Sequence, residues 1–162
     1  MVTVPIEERI AIRELTDLYP LFCDTHQFEK VAALFTEECL FDETCVGLAA
    51  PVRTRAALAY ELIEGAKTTV GPMMHICTNH IISEFTGDTA SGTCHVIAEG
   101  IFITGGQQMP FRIFGYYDDR YVKIGGRWYF KERTLRLLVP TQGGPTVGGI
   151  TYDTGAKHFK IR

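Results

Sequence analysis

The chain has 162 residues, 46% of them hydrophobic, and a formal net charge of −3. That is enough apolar side chain for one core of ordinary size, and too little clustered charge for a nucleic-acid footprint or a polybasic membrane patch. No run approaches the roughly 18 apolar residues of a membrane span, and Met1-Val-Thr-Val-Pro-Ile-Glu-Glu-Arg9 lacks a basic start and an apolar core of signal-peptide length, so a cytoplasmic protein is expected.

Ile12, Leu15, Tyr19 and Phe22 recur at intervals of three and four, which predicts an amphipathic helix from Ile6 to Phe22. Glu7 and Glu8 suit the positive end of its dipole. Pro20 cannot donate to the carbonyl of Thr16, so a bend or break is expected there, and Tyr19 and Asp24 share a pocket only through that distortion. Phe28, Val31, Leu34 and Phe35 predict a second short helix. Residues 39–46 read as a strand closed by Gly47, and Thr54 as the N-cap of a third helix from Arg55 to Ala66.

From Met73 to about Val139 the pattern is sheet. Runs at 73–85, 92–104, 110–124 and 127–139 are separated by turn signals at 86–88, Gly105-Gly106 and Gly125-Gly126. Three helices followed by a mostly antiparallel meander is an α+β pattern, with the helices against one face of a curved sheet and an apolar pocket between them. This domain takes residues 1–139. The tail, 140–162, is Gly-rich at 143–149 and is expected to lie across the pocket mouth or a neighbouring subunit.

The strand Pro72 to Phe85 carries a histidine where another Val or Ile would serve a sheet better. Strict alternation puts Met73, His75, Cys77, Asn79 and Ile81 on one face, and Met74, Ile76, Thr78, His80 and Ile82 on the other. If the first face lines a cavity, His75 is a base on a rigid wall; if it is packed, His75 is a satisfied core imidazole. The five cysteines form no C-x-x-C pair, and the five histidines show neither H-x-H nor H-E-x-x-H spacing, so neither a disulfide framework nor a metal site is expected. There is no G-x-G-x-x-G or Walker pattern, and no cofactor is expected either.

Taken in order, Tyr19-x-x-x-x-Asp24, Ala33-Leu-Phe-Thr36, His75-x-x-x-Asn79, Gly87-Asp-x-Ala90 and Gly126-Arg-Trp-Tyr-Phe-Lys-Glu-Arg133 resemble the SnoaL-like branch of the nuclear-transport-factor-2-like superfamily over about residues 6–139. The resemblance implies a cone-shaped α+β barrel. Within the branch the sequence is similar to the lindane dehydrochlorinase, bile-acid 7α-dehydratase and scytalone dehydratase families, which remove HX or water from small apolar ring compounds. It implies an Asp24–His75 dyad as general base, in which the carboxylate fixes the tautomer of the ring that takes a proton from carbon. Tyr19 matches a tyrosine that would donate to a leaving hydroxyl, and Arg133 an arginine that would stabilise departing negative charge. His95 stands where those relatives place an aspartate. With Asn79, Tyr117 and Phe114 it is a candidate substrate-binding residue.

Strand parity raises one objection: Trp128 and Phe130 share a face that Arg133 joins only through a bulge. Gly115 and Tyr117 occupy the places of a serine and an asparagine of scytalone dehydratase, which argues against that particular substrate. The expected function is therefore a lyase acting on a small, largely apolar cyclic molecule. An isomerase or polyketide-type cyclase using the same base is an alternative, as is a non-catalytic ligand-binding or assembly domain whose cone is filled by its own aromatic side chains. Residues 111–123 are apolar or aromatic on both faces, so a homo-oligomer, by resemblance a trimer, is expected.

Overall fold

The computed structural model describes residues 2–138; the Gly-rich tail, for which a covering role was expected, lies outside the described residues. Helix α1 (Ile6–Asp24) buries Ile12, Leu15, Thr16, Tyr19, Pro20 and Cys23, related by intervals of three and four, and so turns a single stripe to the sheet. Pro20 does not end it. The ring sits on the buried stripe, and its packing offsets the intrahelical hydrogen bond that proline cannot make. The helix stops at His26, which takes a left-handed φ of 55°. Gln27 N–H then reaches the Phe22 carbonyl at 2.8 Å and His26 N–H the Cys23 carbonyl at 3.0 Å, a Schellman closure that leaves Asp24 as the last helical residue.

Helix α2 (Phe28–Ala33) leads into strand β1 (Phe35–Asp42), which begins and ends four residues earlier than expected. The cause is local. Asp42 Oδ1 accepts from the N–H and hydroxyl of Thr44 at 3.0 and 2.7 Å, a turn that halts the strand and converts Thr44–Val46 into a short 3-10 turn. Glu43 is left at that corner. Strand β2 (Val52–Thr54), which the sequence pattern did not reveal, precedes helix α3 (Arg55–Thr69), and Thr54 Oγ1 accepts from Ala57 N–H at 3.2 Å as expected of an N-cap.

The remaining strands are β3 (Val70–Phe85), β4 (Thr89–Thr104), β5 (Gln107–Ile124) and β6 (Arg127–Leu137). Gly105-Gly106 and Gly125-Gly126 all have positive φ, as a two-residue hairpin turn matched to strand twist requires. The six strands order as β2-β1-β6-β5-β4-β3, antiparallel except for β1 beside β6. The sheet is thus mixed and open, with β2 and β3 as its edges. The expected barrel does not close.

Two bulges decide which side chains face the helices. On β3, Thr78 pairs with His95 but Ile81 with Thr93, one extra residue, and Asn79 takes φ 54° to accommodate it. Parity reverses there, so His80 and the buried Ile82 follow His75 and Cys77 on the inner face, while Asn79 and Ile81 turn outward. On β6, Phe130 pairs with Tyr121 and Glu132 with Arg120, which leaves Lys131 as the extra residue. Trp128, Phe130, Arg133, Leu135 and Leu137 are all buried as a result, and the parity objection to Arg133 disappears.

Between helices and sheet lies a core in which Ile12, Val31, Phe35, Leu58 and Phe130 are fully buried, each contributing about 1.5–3 kcal/mol relative to exposure. Glu8 ties the first turn of α1 to the last hairpin, accepting from Lys123 Nζ at 2.5 Å and Trp128 Nε1 at 2.7 Å. The opposite face of the sheet leaves Met74 and Ile76 about half exposed. Among the described residues no helix is long and apolar enough to cross a membrane.

Candidate active site

The end of α1 meets the inner face of β3 through one carboxylate and one residue. Asp24 Oδ1 lies 2.6 Å from His75 Nδ1, and Asp24 Oδ2 accepts from the backbone N–H of His75 at 2.9 Å. Both oxygens hold the same residue, so the carboxylate cannot rotate without losing a bond. An ionised carboxylate only accepts, which puts the ring proton on Nδ1 and leaves the Nε2 lone pair free. The side chains of His75 and Asp24 keep 14% and 21% of their exposure. The imidazole is thus fixed in orientation and keeps part of its surface exposed.

Below it is a group of buried rings around one guanidinium. Arg133 is 0% exposed and lies 4.3, 4.1 and 4.0 Å from the ring centres of Tyr19, Tyr117 and Phe130. Asp119, equally buried, receives its Nε and Nη2 at 2.9 and 2.8 Å. Nη1 has no hydrogen-bond partner among the described residues. The Tyr19 hydroxyl donates to Glu43 Oε1 at 3.2 Å, and burial pushes the phenols of Tyr19 and Tyr117 well above their usual range, so both remain donors.

Asp119 also organises a second imidazole. Tyr121 OH donates to Asp119 Oδ2 at 2.9 Å and lies 3.1 Å from His80 Nε2. Since the phenol proton is committed to the carboxylate, the phenol oxygen accepts, and His80 carries its proton on Nε2. Burial pushes the His80 ring down to about 4. The folded state therefore binds fewer protons than the unfolded one between about 6.5 and 4; the contribution is complete above 6.5 and lost as pH falls through that window. Because the ring is partly solvent-screened, the expected loss is about 1–2 kcal/mol. Urea unfolding of the wild type and His80→Gln across this window should show the flatter profile in the variant, and parallel profiles would exclude His80 as the source.

Of the residues singled out from sequence, His75, Asp24, Tyr19, Arg133 and Tyr117 converge here. Asn79, His95 and Phe114 do not. The β3 bulge sends Asn79 to the outer face, where its amide donates to His95 Nδ1 at 3.1 Å, and both residues are exposed. Phe114 pairs with Ile97 on that outer face, under the Arg112 guanidinium at 5.9 Å. None of the three lines the inner site. Sequence reasoning missed Glu43, Asp119 and the inward turn of His80. A carboxylate within the apolar stretch from Cys39 to Val46 was the one available signal for Glu43.

The SnoaL-like domain model matches residues 4–134. Among solved structures, a candidate scytalone dehydratase from Novosphingobium aromaticivorans is 28% identical, with a TM-score of 0.71 over 83% of this chain and 86% of that one. A candidate aromatic ring hydroxylase from the same organism is 27% identical, with a TM-score of 0.78 over 85% and 94%. A hexachlorocyclohexane dehydrochlorinase shares the fold at 16% identity, with a TM-score of 0.71 over 83% and 87%. No curated protein sequence matches significantly. With a family match that runs from the start of α1 into β6, the chain belongs to the SnoaL-like domain family, within the nuclear-transport-factor-2-like fold.

Proposed function

We propose that this protein is an acid–base lyase that removes water or HX from a small, largely apolar cyclic substrate. The observation that carries the reading is the double clamp of Asp24 on His75, which fixes one tautomer and one ring orientation. A base so held takes a proton from a carbon beside a carbonyl or a leaving group, and the carboxylate supports the positive charge that the ring acquires. The rings of Tyr19 and Tyr117 give an apolar surround. The dehydratase name of a structural neighbour 28% identical to this chain supports elimination as the use of that base.

The test is product mass. Purified protein is incubated with β-hydroxycyclohexanone and its β-chloro analogue, and with ring-substituted members of each series. The expected result is loss of water or HCl from at least one member, abolished in His75→Ala. Products of unchanged mass would point to isomerisation by the same base. Turnover in His75→Ala equal to the wild type would remove the proposal.

A further inference from the structure

Elimination has two halves, and the dyad supplies only one. When the leaving group is hydroxide, the breaking C–O bond also needs a proton, because hydroxide is a poor leaving group at neutral pH. Arg133 is a weak source, being bound to Asp119 through two of its nitrogens and held cationic by that contact. Tyr19 has its hydroxyl proton directed to Glu43 and its phenol pushed well up by burial. The Tyr117 phenol is pushed well up by burial in the same way and also acts on Glu43. Of the carboxyl groups described at the site, that leaves Glu43.

Glu43 stands at the corner between β1 and the 3-10 turn, where the Asp42 turn holds the backbone and directs the carboxyl inward to Tyr19. The groups that act on it come from every element packed there: Tyr19 and Cys23 from α1, His75 from β3, Tyr117 from β5 and Arg133 from β6. Resting on the lyase reading above, we propose that Glu43 is the second acid–base group of this site, the donor to a departing hydroxyl oxygen, so that the substrate class is a cyclic β-hydroxy carbonyl compound rather than a halide.

The surroundings fit an acid that keeps its proton. Burial raises the Glu43 carboxyl, opposed first by His75 and then by Tyr19, Arg133 and Tyr117. The two other carboxylates of the site are already matched, Asp24 by the two N–H groups of His75 and Asp119 by Arg133. The cation that would favour an ionised Glu43 is therefore largely neutralised before it acts. His75 is the strongest electrostatic influence on Glu43. That influence acts once the His75 ring is charged, so arrival of a proton on His75 favours loss of the proton from Glu43.

That is the proton inventory elimination uses. His75 Nε2 takes the proton from carbon as the C–H pair becomes the C=C pair. The C–O bond breaks with its electrons going to oxygen, and Glu43 gives that oxygen a proton, so water departs. The site ends as imidazolium and carboxylate with its net charge unchanged. Transfer of one proton from His75 to Glu43, directly or through the released water, restores the start. A departing chloride needs no such donor.

Two readouts test this. Carboxyl-labelled glutamate followed by carbon NMR or infrared difference spectroscopy, wild type against Glu43→Gln, should show one carboxylic acid that stays protonated above the usual glutamate range and is missing in the variant. An ordinary titration at Glu43 overturns the proposal, and this reading needs no substrate. In turnover, Glu43→Gln keeps the acceptor for Tyr19 but has no proton to give. Its kcat on the β-hydroxy ketone should fall roughly 10²-fold or more, with KM within a few-fold and Glu43→Asp recovering part of the rate. Elimination of HCl from the chloro analogue should fall by a much smaller factor. Equal losses on both substrates would mark a structural role and overturn the proposal, as would no loss on the hydroxy ketone. If His75→Ala is inactive while Glu43→Gln is not, only the Glu43 assignment falls; if His75→Ala is active, the lyase reading falls with it.

Discussion

Asp119→Ala is expected to lower the unfolding free energy by about 3–5 kcal/mol, measured by urea unfolding at pH 7. Asp119 and Arg133 are both 0% exposed, so truncation leaves a guanidinium buried with none of its acceptors. Nη1 has no partner among the described residues, and removal of the carboxylate would extend that condition to Nε and Nη2. The three flanking rings hold the cation by their faces but offer no acceptor in the guanidinium plane. Tyr121 would lose its acceptor as well, and with it the fixed tautomer of His80. The contrast is Arg112–Glu99, shorter at 2.6 Å but with side chains 59% and 46% exposed. Glu99→Ala should cost under about 1 kcal/mol, because water replaces what is lost. Replacing Asp119 and Arg133 together by Leu and Met should recover much of the loss, since no uncompensated charge remains. A cost for Asp119→Ala no larger than that for Glu99→Ala would show that water reaches Arg133.

How far the sequence discloses this arrangement depends on whether a side chain's direction is set locally. Helix α1 is legible because its stripe follows one period, and the Gly105-Gly106 and Gly125-Gly126 turns are legible because positive φ selects glycine. The Asp24–His75 pair follows from an ordered resemblance, and His75 precedes the β3 bulge, so its parity is right. Asn79 sits on the bulge itself and goes to the other face. Nothing in Cys77-Thr-Asn-His80 fixes the bulge at Asn79, although Asn tolerates left-handed φ better than most residues. Arg133 could face inward only through a bulge, and the extra residue at Lys131 supplies it. Glu43 escaped because its direction depends on the turn made by Asp42 and Thr44, which shortens β1. The parallel pairing of β1 with β6 joins residues about ninety apart and leaves no mark in either segment's own pattern.

Asp24→Asn is expected to lower kcat on the dyad's substrate by roughly 10²–10⁴-fold, and to do more damage than Asp24→Ala. The reason is the second bond of the clamp. The backbone N–H of His75 is a donor and cannot change, so an amide at position 24 must turn its oxygen toward it. Its NH₂ then faces His75 Nδ1, which has to become an acceptor. The ring proton moves to Nε2, and the nitrogen that should take a proton from carbon already carries one. Alanine imposes no tautomer. It leaves the ring free to spend part of its time with Nε2 unprotonated, at the cost of lost orientation and lost support for the imidazolium. The more isosteric change should therefore be the more harmful one, a ranking that simple loss of packing or of charge does not produce. Nitrogen NMR of the His75 ring would read the tautomer directly, as Nδ1–H in the wild type and Nε2–H in Asp24→Asn. Steady-state rates with Asn within tenfold of wild type, or with Ala below Asn, would mean that Asp24 holds His75 in place without choosing its proton.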